Sequence, residues 1–146
     1  MTNDHQEFFP TQPTILGFDP GRDKCGIAVM GLDRQLYNHQ VLPAKQVITT
    51  INNLQEKFPI SLIVMGDQTT AKGWQKLLQV DLLKPVNIIM VDERYTSLEA
   101  RDRYWQMYPP QGLIKILPPG IRTPSQPIDD IVAILLIERY LNRLTS

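Results

Sequence analysis

Thr14-Ile15-Leu16-Gly17-Phe18-Asp19-Pro20-Gly21 is the stretch on which the fold turns. Ile15, Leu16 and Phe18 make a short apolar run that reads as a buried strand, and Pro20-Gly21 stops it one residue after an aspartate. Downstream, residues 25–30 resume the strand pattern with Ile27 and Val29. Gly31-Leu32-Asp33 reads as a turn, and residues 35–42 as a third, more polar strand. Three consecutive strands with short connections predict an antiparallel meander.

The rhythm then changes. Residues 44–58 place Val47, Ile48, Ile51, Leu54 and Phe58 near helical spacing. Residues 60–65 are a fully apolar strand, and 70–83 a helix with Trp74, Leu77, Leu78 and Leu82 on one face. Residues 86–91 form a second apolar strand. Alternating strands and helices predict parallel strands joined by right-handed crossovers. Thr96-Ser97-Leu98-Glu99 matches a capping box at the next helix start. Residues 108–127 carry six of the twelve prolines and two glycines, which predicts an irregular and mobile loop. Residues 128–144 read as a strongly apolar helix. The expected fold is α/β: a mixed five-stranded sheet, first a meander and then βα units, with helices on both faces. Residues 1–13 read as a flexible tail and 14–146 as one domain.

Composition narrows the chemistry. Cys25 is the single cysteine, so an intrachain disulfide is excluded. His5 and His39 are far apart, and one cysteine with two scattered histidines does not make a zinc site. Any metal chemistry must use carboxylates and hard ions. The longest purely apolar run, residues 131–137, has seven residues, against roughly 20 for a membrane span. The first thirteen residues lack Lys, Arg and a long apolar run, so they do not read as a signal peptide, and the expected location is cytoplasmic. Fifteen basic residues balance fifteen acidic ones, which argues against an indiscriminate nucleic-acid binder.

The acids fall where such a sheet binds ligands, beyond the carboxyl ends of parallel strands. Asp19 ends the first strand, Asp67 follows the fourth, and Asp92 and Glu93 follow the last. Asp129 and Asp130 open the final helix. If the first strand runs parallel to the fourth and fifth, Asp19, Asp67, Asp92 and Glu93 gather at one edge, and packing of the final helix on the sheet can aim one of Asp129 and Asp130 there. Such a cluster suits two divalent ions working on a phosphodiester. Each acid also has an ordinary reading: Asp19 as a turn residue, Asp67 as a turn or cap, Asp129 and Asp130 as dipole partners. The convergence of sequence-distant acids favours the cluster.

The segment Gly17-Phe18-Asp19-Pro20-Gly21-Arg22-Asp23-Lys24-Cys25-Gly26-Ile27-Ala28-Val29 resembles the opening of the YqgF/RuvX family, related to the RuvC Holliday-junction resolvases. Asp92-Glu93-Arg94-Tyr95-Thr96-Ser97-Leu98 resembles its second signature, and Ile128-Asp129-Asp130-Ile131-Val132-Ala133 its third, in the family's order and spacing. The resemblance implies a ribonuclease-H-like fold. It also implies a catalytic, metal-binding set of Asp19, Glu93 and Asp129 holding Mg²⁺ or Mn²⁺ (two ions), and nuclease activity in 5′ processing of the 16S ribosomal RNA precursor. Where the family carries Gly-x-Pro followed by Asp-Gly, this chain has Gly66-Asp67-Gln68-Thr69-Thr70. Asp67 lies near where junction resolvases place a catalytic Glu, and Asp130 is the neighbour that could substitute for Asp129.

Arg22, Lys24 and Arg94 flank these acids and are candidate phosphate contacts, with solvated loop charge as the alternative. Arg101, Arg103, Tyr104, Trp105 and Tyr108 mix bases with aromatics; packing of the rings on the sheet is favoured over base stacking. Cys25 reads as a small core residue. Two other activities compete with an RNA nuclease: a junction resolvase acting on DNA, and a catalytically silent nucleic-acid or protein-binding module. RNA is the favoured partner, a membrane is not expected, and the chain reads as a monomer or weak homodimer.

Overall fold

The computed structural model describes residues 10–145. The tail expected over residues 1–13 therefore lies outside the described residues as far as residue 9. Five strands form one sheet: β1 (Thr14–Asp19), β2 (Lys24–Gly31), β3 (Leu36–Pro43), β4 (Ile60–Gly66) and β5 (Asn87–Val91). Their order is β3-β2-β1-β4-β5. β2 is antiparallel to both β1 and β3, while β4 is parallel to both β1 and β5. The expected meander followed by βα units is the observed topology, and β1 has the direction that brings the acids to one edge.

Four α-helices connect and cover the sheet among the described residues: α1 (Val47–Lys57), α2 (Ala71–Asp81), α3 (Thr96–Met107) and α4 (Asp129–Thr145). Strand side chains alternate between faces. Leu16, Phe18, Cys25, Ile27, Ile63 and Met65 pack against α1 and α2. Ile15, Ala28, Met30 and Val64 pack against α3 and α4. The helices thus cover both faces, in the ribonuclease-H-like arrangement.

α4 is apolar around its whole circumference from Ile131 to Ile137, because it lies between the sheet and α3. Each fully buried Ile or Leu there contributes on the order of 2 kcal/mol. Its seat is made of small residues. A Cβ on Gly17 would run into the Ala133 carbonyl, and one on Gly26 into the backbone of Asp129 and Asp130. Gly26 is the register partner of Asp19. The close approach that Gly26 permits therefore sets the start of α4 beside the end of β1.

The capping box at Thr96 does not form. Thr96 is already helical, and Tyr95 stands at the N-cap in the left-handed region (φ 65°), with no side-chain cap. The chain must turn sharply after Glu93, and the Thr96 hydroxyl is used up donating to the Glu93 carbonyl at 2.7 Å. A left-handed non-glycine residue costs roughly 1 kcal/mol. Residues 108–127 are irregular, as their prolines predict, apart from two short 3-10 turns at Gly112–Ile116 and Pro119–Ile121. They are tethered by Arg122 donating to the Lys115 and Leu117 carbonyls, and by Tyr104 bonding Ser125.

The α3 aromatics pack inward: Tyr104 is buried with Trp105 edge-on against it, while Arg103 pairs with Glu138. Cys25 is fully buried and accepts the Gly21 N–H at 3.3 Å. No helix among the described residues is long and apolar enough to cross a membrane.

Candidate active site

The carboxyl ends of β1, β4 and β5 lie side by side, with Asp19, Gly66 and Val91 as their last residues. Asp19 and Glu93 are both only 8% exposed, an unusual burial for carboxylates. Glu93 starts two residues beyond β5 and reaches back across the end of β4: a Cβ on Gly66 would overlap its carboxylate. That reach puts it against Asp19, on the neighbouring strand.

The electrostatics follow from this crowding. Burial pushes the Asp19 carboxyl up to about 8, with repulsion from Glu93 and then Asp129 adding to it. Burial likewise raises Glu93 to about 7, with Asp67 adding; the Gln68 amide and the Arg139 charge pull the other way. Neither Glu93 oxygen meets full hydrogen-bond geometry with any donor. The Asp19 carboxyl can donate to Glu93 when it holds a proton, so near neutral pH the pair shares one.

Asp129 is the first residue of α4, and its Oδ2 lies 3.7 Å from the Lys24 ammonium. It acts on Asp19 electrostatically. Asp19, Glu93 and Asp129 therefore come together, with Asp129 engaged by Lys24. Among the described residues, no three acidic, His or Cys side chains stand as a ready-made metal cage. The donor set nevertheless fits a hard divalent cation: buried carboxylate oxygens without donors, crowded so that their mutual repulsion needs a positive partner.

The remaining predicted residues are distributed differently. Asp130 is turned toward β3, where its Oδ2 meets His39 Nδ1 at 2.7 Å. Asp67 is exposed, and its Oδ1 accepts the Glu93 backbone N–H at 3.4 Å. Arg94 is exposed and folds onto Asp92 (Nε to Oδ2, 3.0 Å). Arg22 lies on the exposed turn three residues beyond the end of β1, beside the start of α2.

Sequence reading missed Arg139. From α4 it donates to the Asp92 carbonyl (2.7 Å), the Arg94 carbonyl (2.7 Å) and Glu99 Oε1 (2.9 Å). It thus grips the chain on either side of Glu93. The available signal was Glu138-Arg139, which breaks the apolar run of α4. Arg139→Gln is expected to destabilise the protein by about 2 kcal/mol, the scale of losing charge-assisted hydrogen bonds. It should also speed amide exchange across residues 92–96; urea melts and hydrogen exchange read both, and unchanged exchange there would refute the grip.

No family model matches the chain. Over 145 residues, covering 90% of this chain and 91% of the other, it is 28% identical to a protein of Sulfurihydrogenibium sp. (strain YO3AOP1) described as "Putative pre-16S rRNA nuclease". This similarity over most of the chain agrees with the family resemblance of the three signatures.

Proposed function

We propose that this chain is a metal-dependent nuclease that hydrolyses phosphodiester bonds in 5′ processing of the 16S ribosomal RNA precursor. The observation that carries the reading is the buried Asp19–Glu93 pair, with Asp129 beside it, at the carboxyl edge of a ribonuclease-H-like sheet. The name of the similar protein supports the substrate. Asp19, Glu93 and Asp129 would hold Mg²⁺ or Mn²⁺, which when bound supplies an activated water and stabilises the leaving oxygen. Lys24 stands 3.7 Å from Asp129, close enough to the cluster to contact a phosphate bound there. Asp67 and Arg139 fix the backbone around Glu93, and so orient its carboxylate.

The test is cleavage of labelled pre-rRNA fragments and four-way DNA junctions side by side, with Mg²⁺ or Mn²⁺, at one salt concentration. The expected result is metal-dependent cutting of the RNA flank with intact junctions. A neutral chain is poorly suited to neutralising the phosphates of two duplex arms. Symmetric nicking of junctions that is lost in Asp67→Asn, with pre-rRNA untouched, would make this a resolvase instead.

A further inference from the structure

A second feature opens on the same edge. A cleft of about 430 Å³ lies between the turn after β1 and the first turns of α2, lined by Arg22, Thr69, Thr70, Gly73, Trp74 and Leu77. Its size falls in the range of small-ligand pockets. It begins two residues from Asp19 on one side and three from Gly66 on the other.

Its floor is a fixed aromatic. The Trp74 indole stands edge-on to Phe18 with centroids 5.2 Å apart, and its Nε1 donates to the Gly21 carbonyl at 3.2 Å. Both contacts tie the ring to the strand end that carries Asp19. Leu77, one turn further along α2, is 41% exposed. Between them, the missing Cβ of Gly73 would meet nothing within 4 Å. The helix surface there is bare and apolar enough for a flat ring to lie on it.

The rim is cationic. Arg22 lines the cleft, and Lys72 and Lys76 flank the Thr69-Gly73-Leu77 stripe by one helical position. Among the described residues none of these three has an ion-pair or hydrogen-bond partner, whereas Lys24, Arg94, Arg103 and Arg139 are each held by a carboxylate. The Thr70 hydroxyl is buried in the wall without a partner, and the amino end of α2 lacks a side-chain cap. Aromatic floor and unneutralised cations together match a nucleotide: a base to stack and a phosphate to neutralise.

We propose that this cleft is a subsite for one nucleotide of a single strand, adjoining the scissile phosphate, with the base on Trp74 and Leu77 and its phosphate at Arg22. The identity of the strand rests on the nuclease reading; the binding chemistry does not. A base stacked on an aromatic ring contributes about 1–3 kcal/mol, roughly a tenfold effect on affinity.

The test uses Trp fluorescence. The chain has two tryptophans, so Trp105→Phe leaves Trp74 as the reporter. With EDTA present, hexauridylate is expected to quench this fluorescence saturably, and UMP to bind roughly tenfold or more weakly, because only the strand extends beyond the cleft along the sheet edge and adds further stacking and phosphate contacts. Gly73→Glu puts a carboxylate into open space and should weaken hexauridylate binding by roughly tenfold or more, while its melt stays at or above the parent's because glycine is a poor helix former. Leu83→Glu adds the same charge beyond the end of α2 and should change affinity less than about twofold.

No quenching by hexauridylate, UMP binding as tight as the hexamer, or equal losses in Gly73→Glu and Leu83→Glu each overturns the subsite. Because nothing is cleaved in this assay, the two readings fail separately. A protein that cuts no nucleic acid yet shows the expected quenching pattern supports the subsite and sinks the nuclease. One that cuts RNA with an unchanged KM in Gly73→Glu does the reverse.

Discussion

Asp19→Asn is expected to abolish phosphodiester cleavage, by at least about 10³-fold, while making the metal-free protein more stable above neutral pH. Both effects come from one geometry. In the folded chain Asp19 holds its proton up to about 8, against 3.8 in the unfolded chain, because it is buried beside Glu93 and Asp129. A raised carboxyl pKa means that the folded state binds the proton more tightly, so stability is greatest below the unfolded value. It declines as pH rises from about 4 to about 8, and levels off above that. At about 1.4 kcal/mol per pKa unit, the full penalty is on the order of 5 kcal/mol. Asn cannot ionise, and its amide can donate to the Glu93 oxygens that lack a donor, as protonated Asp19 does. Urea melts in EDTA from pH 5 to 9 should therefore fall for the parent and run flatter for the variant. Mg²⁺ should restore the parent most strongly at high pH, since the ion must displace the shared proton. A parent curve that is flat or rises with pH would refute the buried pair, and a variant that cleaves at the parental rate would remove Asp19 from the chemistry.

How much of this site was legible in the sequence depends on how local each determinant is. The strands and helices followed from runs and periodicity, since Ile15-Leu16 and Ile60 to Met65 are apolar wherever the chain goes. Asp19 and Glu93 were legible for a related reason: an acid just past a parallel strand sits at the ligand-binding edge whatever its side chain does. Positions set by long-range partners were not legible. Asp129 and Asp130 are adjacent in sequence, yet one faces Lys24 near the cluster and the other faces His39 on β3, because the helix start lies across the β2–β1 seam. Arg139 acts on a loop some 45 residues earlier in the chain. The capping box at Thr96 failed because a neighbouring carbonyl, that of Glu93, took the hydroxyl first. What the missing Cβ atoms of Gly26 and Gly66 make room for is shown only by the crossing of α4 and of the Glu93 side chain.

Gly66→Ala isolates the last of these. The added methyl would occupy the space of the Glu93 carboxylate. What it meets is the far end of a flexible side chain, so Glu93 can swing away at modest cost, and alanine in a strand regains part of that through a less flexible unfolded chain. Stability should therefore change by about 1 kcal/mol or less, unlike a methyl at Gly26, which would press on the α4 backbone. The site should suffer far more. With Glu93 displaced, its charge no longer raises Asp19, so the pH-dependent loss of stability described for the parent should shrink even though both carboxylates are still present. If Glu93 holds the metal as proposed, its displacement by about 1 Å is expected to cost roughly 100-fold in cleavage. Glu93→Gln provides the comparison: it should lose activity to a similar degree and also flatten the pH profile. A Gly66→Ala protein that cleaves normally and keeps the parental pH profile would mean that Glu93 does not work from its position over the end of β4.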